Sequence, residues 1–130
     1  MNEVQVSEIK AFYAFQNFME NVHSTTYSLL IETYVQDPVE KDNLFRAAQF
    51  YPSIQKKSDW AKKWINDNRS NFSTRLIAFA IIEGIFFSSS FAAIFWIEQK
   101  NILPGLCLSN EYISRDESLH VVMKEYCCPL

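Results

Sequence analysis

From Ser7 to Tyr34 the chain has neither glycine nor proline, and Phe12, Phe15, Met19, Val22, Leu30 and Ile31 recur at the three- and four-residue spacing of one helical face. A single long helix is predicted there, ended by Asp37-Pro38, because the residue before a proline is pushed out of helical conformation. A short helix is predicted over residues 41–50, stopped by Pro52. Another is predicted from 53 to about 67, with its lysines and Asp59 outward and Ile54, Trp60 and Trp64 inward. A long apolar helix follows over 73–99, about 40 Å at 1.5 Å per residue. Lys100-Asn101 and Pro104-Gly105 break it, and a last helix is predicted over about 110–125. With no strand pattern, repeat or low-complexity segment, the expectation is an all-α bundle with short connections.

The apolar helix raises a membrane question. Residues 76–97 hold one charge, Glu83, and are long enough to span a bilayer. A carboxylate left unpaired in hydrocarbon or in a dry core costs several kcal/mol. A cation with partner ligands elsewhere in the chain would compensate it, which favours a core helix of a soluble bundle over a membrane span.

Composition fits a helical domain. The 130 residues are 48% hydrophobic, with eleven Phe but two Gly and four Pro, which leaves little punctuation for hairpins. A formal charge of −3 without a basic stripe argues against nucleic acid as a partner. Residues 1–11 lack the basic start and apolar core of an export signal. Three cysteines, two of them adjacent (Cys127 and Cys128), read as free thiols in a reducing compartment, and the expected location is the cytoplasm.

Chemistry enters with the two histidines. Both occur as Glu-x-x-His: Glu20 with His23, and Glu117 with His120. Residues three apart on a helix share a face, so each pair aims a carboxylate and an imidazole at one point. Such donors suit iron or manganese, and no nearby cysteine suggests structural zinc. Glu83 is the third element. Two Glu-x-x-His helices plus a single Glu from each of two others make the ferritin-like di-metal carboxylate site, and three of those four helices are recognisable here. The bland alternative is a pair of core histidines satisfied by carboxylates without metal.

Tyr27 follows His23 by four residues and Glu20 by seven, on the same face, while Phe87 and Phe91 follow Glu83 by four and eight. A phenol beside an oxygen-activating cluster, walled by rings that exclude water, is what a stable phenoxyl radical needs. Spacing alone leaves that role and simple packing equally open for Tyr27.

The stretches 18–31, 82–96, 104–106 and 109–120 together resemble the small, radical-generating subunit of eukaryotic-type class I ribonucleotide reductase, over about residues 3–120, with 121–130 divergent. The resemblance implies one partial ferritin-like di-iron domain over 1–130. It implies metal ligands Glu20, His23, Glu83, Glu117 and His120, for two iron ions per complete site in preference to manganese. Tyr27 matches the radical-bearing tyrosine, and Phe87, Phe91 and Ile113 match its apolar pocket. Asp116 matches the carboxylate that joins His23 to a radical-transfer route. The implied activity is that of an oxidoreductase subunit: its radical serves a large catalytic subunit that reduces ribonucleoside diphosphates to deoxyribonucleotides. The implied assembly is a homodimer or heterodimer of small subunits.

The match has departures. The family's further Asp ligand and a route tryptophan lie upstream of where this sequence starts, and its later helices and docking tail have no counterpart. Thr25, Ser89, Tyr112 and Ser118 replace usual Glu, Gly, Leu and Gly. The sequence leaves open a fragment, a truncated or mis-spliced product, or a degenerate paralogue. The competing functional expectation is therefore a non-catalytic structural paralogue, or an inactive fragment lacking a complete metal site.

Overall fold

The structure, a computed structural model, describes residues 4–127. Helix α1 spans Ser7–Tyr34, with the bounds its pattern predicts. The short helix expected over 41–50 is two pieces, α2 (Pro38–Phe45) and α3 (Ala47–Phe50), divided at Arg46. α2 starts early because Pro38 takes a first-turn position that needs no N–H, and the Asp37 carboxylate accepts from the Val39 N–H at 2.9 Å. α4 covers Pro52–Ile65, again opened by a proline. Trp60 and Trp64 are half-buried against each other, their centroids 5.8 Å apart, but Ile54 is exposed, contrary to its expected inward face.

The long apolar helix is not one helix. α5 (Phe72–Ile81), capped by the Asn71 side chain on the Thr74 N–H at 2.8 Å, runs into a π-helical segment, Ile82–Phe86, before α6 (Ser88–Glu98). An apolar run that is hydrophobic on all sides gives no periodicity from which such a break can be read. Two partners accommodate it. Gly84 lets the segment lie close to the last helix, where an added Cβ would meet Val121 Cγ2 at 3.2 Å. Lys57 of α4 donates to the Phe86 carbonyl at 2.7 Å, satisfying an acceptor in the irregular turn.

α7 spans Pro104–Cys127. Pro104 begins this helix rather than lying in a break before it, for the reason that Pro38 begins α2. The turn into it holds Asn101 and Leu103 at φ 54° and 51°. Asparagine tolerates that region, whereas a leucine there costs roughly 1–2 kcal/mol. α7 packs against α1, α5, the π segment and α6, and Cys107, Asn110, Ile113, Glu117, His120 and Lys124 are its buried face. Asn110, 1% exposed, ties it to α6 by donating to the Phe91 carbonyl at 3.4 Å.

Burial corrects one expectation. The stretch Phe72–Glu98 is long and apolar enough to cross a membrane, yet only 11% of its most apolar window is buried within this chain, so it is not enclosed on all sides. Among the described residues, the fully buried hydrophobic ones are Leu76, Ala78, Cys107 and Ile113, while six polar or charged residues are equally buried. Buried polar groups are costly unless satisfied, so a centre richer in them than in aliphatic side chains marks a chemical site.

Candidate metal centre

The polar centre is where α1, the π segment and α7 meet. Glu20, Glu83, Glu117 and His120 each place one ligand atom so that all four lie within 4.8 Å of one another. The two Glu-x-x-His pairs interlock: His120 Nδ1 lies 3.2 Å from Glu20 Oε1 on the facing helix and 3.5 Å from Glu117 Oε2 on its own. His23 stands at the edge of this group. Its Nδ1 is 3.2 Å from Glu117 Oε1 and 3.7 Å from Glu20 Oε2, and its Nε2 pairs with Asp116 Oδ2 at 2.8 Å. The two imidazoles lie 6.3 Å apart, centroid to centroid.

These residues fit a metal ion. His23 Nδ1, His120 Nδ1 and Glu117 Oε2 are buried without a hydrogen-bond partner, so they lie close together yet misaligned for bonds to one another. Lone pairs gathered in this way need a cation between them. Asp116 completes the pattern expected of a metal-binding histidine, since a neutral His23 that donates from Nε2 to a carboxylate presents the Nδ1 lone pair to the cluster. With oxygen and imidazole donors and no cysteine in the group, the set suits iron or manganese better than structural zinc.

Two further residues complete the cluster, and the sequence reading passed over both. Lys124 Nζ pairs with Glu83 Oε2, and Gln16 Nε2 donates to Glu83 Oε1 at 2.8 Å. The Glu83 side chain is 11% exposed and that of Lys124 4%. Their signal was the same spacing that revealed the ligands: Gln16 precedes Glu20 by four residues, and Lys124 follows His120 by four. Burial pushes the Lys124 ammonium down to about 8, a fall moderated by Glu20 and Cys127.

His120 is held the other way. Burial lowers its basicity, but the adjoining Glu117 and Glu20 carboxylates more than reverse this and raise the imidazole to about 9. The same contact with His120 holds the Glu20 carboxyl below its usual range, against the opposing effect of burial. A folded-state value above the ordinary 6.5 means that the His120 proton stabilises the metal-free fold fully below that pH, and that this contribution is lost as pH rises through about 9. A metal ligand must be deprotonated, so metal uptake at pH 7 is expected to release about one proton per ion bound at His120. An indicator dye in weakly buffered solution would register it, and uptake without proton release would show that His120 is not a ligand.

The remaining expected positions are less enclosed. Burial first, then the Glu117 charge, raises the Tyr27 phenol above its ordinary value, which places it near the cluster, but it is 36% exposed. Phe87 and Phe91 lie ring beside ring at 6.4 Å, Phe87 being 43% exposed and Ile113 buried. The π segment displaces the two rings from the regular helical phase assumed for them. Phe91 lines a cavity of about 470 Å³ with Glu83 and Glu117, whereas Phe87 borders a larger cleft with Glu20, Glu83 and Lys124. Within this chain the rings do not form the closed wall that was expected.

Known sequences decide the family. The sequence model of "Ribonucleotide reductase, small chain" matches residues 1–129. The chain belongs to the ribonucleotide reductase small-chain family. It is 58% identical over 118 residues to the ribonucleoside-diphosphate reductase small chain of Spisula solidissima, covering 91% of this chain and 31% of that one. To subunit M2 of Homo sapiens it is 54% identical, covering 91% and 30%. To the small chain of Variola virus it is 58% identical, covering 91% and 37%. The chain thus spans about a third of the length of the curated relatives it matches. The all-helical architecture is that expected of the small-chain family.

Proposed function

We propose that this chain is the metal-binding core of a ribonucleoside-diphosphate reductase small subunit, working in the cytoplasm with a large catalytic subunit. One observation carries the reading: three carboxylates and an imidazole, drawn from α1, the π segment and α7, share a point within 4.8 Å. Bound iron would supply one-electron oxidation driven by dioxygen. Glu20, Glu83, Glu117, His120 and His23 would hold it, with Asp116 fixing the His23 ring. Tyr27 is the residue to be oxidised. Burial, and then the Glu117 charge, raises its phenol above the ordinary value, so the phenol is protonated at neutral pH and its oxidation would release the proton from Tyr27 Oη. Nearby apolar side chains, Phe87, Phe91 and Ile113, would limit access of water and reductants to the resulting radical. The large subunit would then use that radical to reduce ribonucleoside diphosphates.

Anaerobic titration with ferrous or cobaltous ion tests the centre. Saturable binding is expected in the wild type, and His120→Ala or Glu117→Ala is expected to weaken it by about 100-fold or more, at or beyond the loss seen on removing a mere supporting residue. Equal binding by wild type and both variants would place the metal elsewhere. The second reading, a structural partner without its own redox centre, draws support from the Lys124 ammonium within the cluster.

A further inference from the structure

The sequence pattern that marks the metal ligands makes no provision for Lys124. It reaches the centre from α7, one turn beyond His120 and two beyond Glu117, with its side chain 4% exposed and its ammonium on Glu83 Oε2. The other Glu83 oxygen is occupied by Gln16 at 2.8 Å. One candidate ligand of the cluster is therefore already paired on both oxygens, while the cluster's histidine and Glu117 atoms left without a hydrogen-bond partner are His23 Nδ1, His120 Nδ1 and Glu117 Oε2.

We propose that Lys124 is a built-in cation that takes the place of one metal ion at Glu83, so that the cluster of this chain accepts a single divalent ion, held by Glu20, Glu117 and the histidines. This rests on the reading of the cluster as a metal centre. Charge supports it independently of ligand count. Glu20, Glu83 and Glu117 bring three negative charges and Lys124 one positive, leaving two, which one divalent ion neutralises. A second divalent ion would leave a net buried charge of +2, an arrangement that low-dielectric surroundings penalise heavily. Sterically the ammonium also occupies the approach to Glu83 Oε2 that a second ion would need.

The test compares wild type, Lys124→Met and Lys124→Gln, using cobaltous ion as the probe, with stoichiometry from calorimetry and the visible spectrum. Methionine keeps the length and removes the charge, and glutamine keeps a polar end. The expected result is one ion in the wild type and two in Lys124→Met. The first ion should also bind more tightly by about tenfold or more, as follows from removing a unit positive charge several ångströms away. Two ions in the wild type, or one ion bound equally by all three proteins, would overturn the role of Lys124 and leave the metal centre standing. Binding by none of them would overturn both.

A second measurement does not depend on the Lys124 variants folding. In the full wild-type chain without metal, Lys124 should react with an amine acetylating reagent at least tenfold more slowly than the exposed lysines. In Glu83→Gln it should react faster than in the wild type. Rapid modification of Lys124 in the wild type would show that the ammonium is not held in the cluster, and would sink the proposal by itself.

Discussion

In the Lys124→Met background, ferrous loading followed by dioxygen is expected to give a tyrosyl signal by electron paramagnetic resonance, and adding Tyr27→Phe is expected to abolish it without changing metal content. The effect is all-or-none because phenylalanine preserves the ring and its packing while removing the only proton whose loss makes oxidation accessible. Tyr27 is the tyrosine for the experiment because the Glu117 carboxylate, inside the cluster, acts on its phenol. Tyr13, which shares a cleft with Glu20 and Glu83, is less suited: burial, then Cys127, pushes its phenol up to about 12. The radical of this chain should decay quickly, since Tyr27 is 36% exposed and Phe87 43%. A signal of undiminished size in the Tyr27→Phe protein would move the role to another tyrosine.

The second large effect is association. The 130-residue chain in dilute aqueous buffer is expected to form oligomers or aggregates at micromolar concentration, seen as rising sedimentation coefficients. Ile77, Ile85, Phe87, Phe95 and Trp96 are exposed along α5, the π segment and α6, and Phe15, Phe18 and Leu29 along α1. Apolar patches of this extent are unusual on a soluble monomer. Glutamate at Ile77 and Trp96, exposed at 52% and 59% on α5 and α6 outside the π segment, should shift the chain toward monomer while leaving metal stoichiometry unchanged. The same experiment addresses the bilayer. Insertion of Phe72–Glu98 would have to break the Glu83 pairing with Lys124 and Gln16, so the chain should not become protected from protease by lipid vesicles. Protection of that segment would instead favour a membrane helix.

Much of this was legible in the residues themselves. The bounds of α1 follow from an uninterrupted periodic pattern and the Asp37-Pro38 stop. The candidate cluster of Glu20, Glu83, Glu117 and His120 followed from two histidines in one motif and a lone carboxylate in an apolar run. What escaped did so for identifiable reasons. Pro104 carries the same letter whether it breaks a helix or opens one, and only the packing of α7 distinguishes the two. The π segment is invisible in a run whose single charge is Glu83 and whose apolar residues cover every face. Lys124 was passed over because a lysine is ordinarily solvated, although its spacing from His120 places it on the ligand face. The degree of enclosure was not legible at all, because burial depends on what packs against a face rather than on the face itself.

The π segment gives the centre unequal mechanical supports. Glu20, His23, Glu117 and His120 stand on long helices whose regular ladders resist local change, and altering the spacing of one such pair means moving a whole rod. Glu83 stands instead on five residues with wider hydrogen bonding, one carbonyl of which accepts from Lys57 and whose Gly84 carries no side chain to lock it against Val121. Among the carboxylates it is the compliant one. When cations of different size or number enter the cluster, the adjustment falls on that short stretch of backbone, and the two rigid Glu-x-x-His arms keep their register.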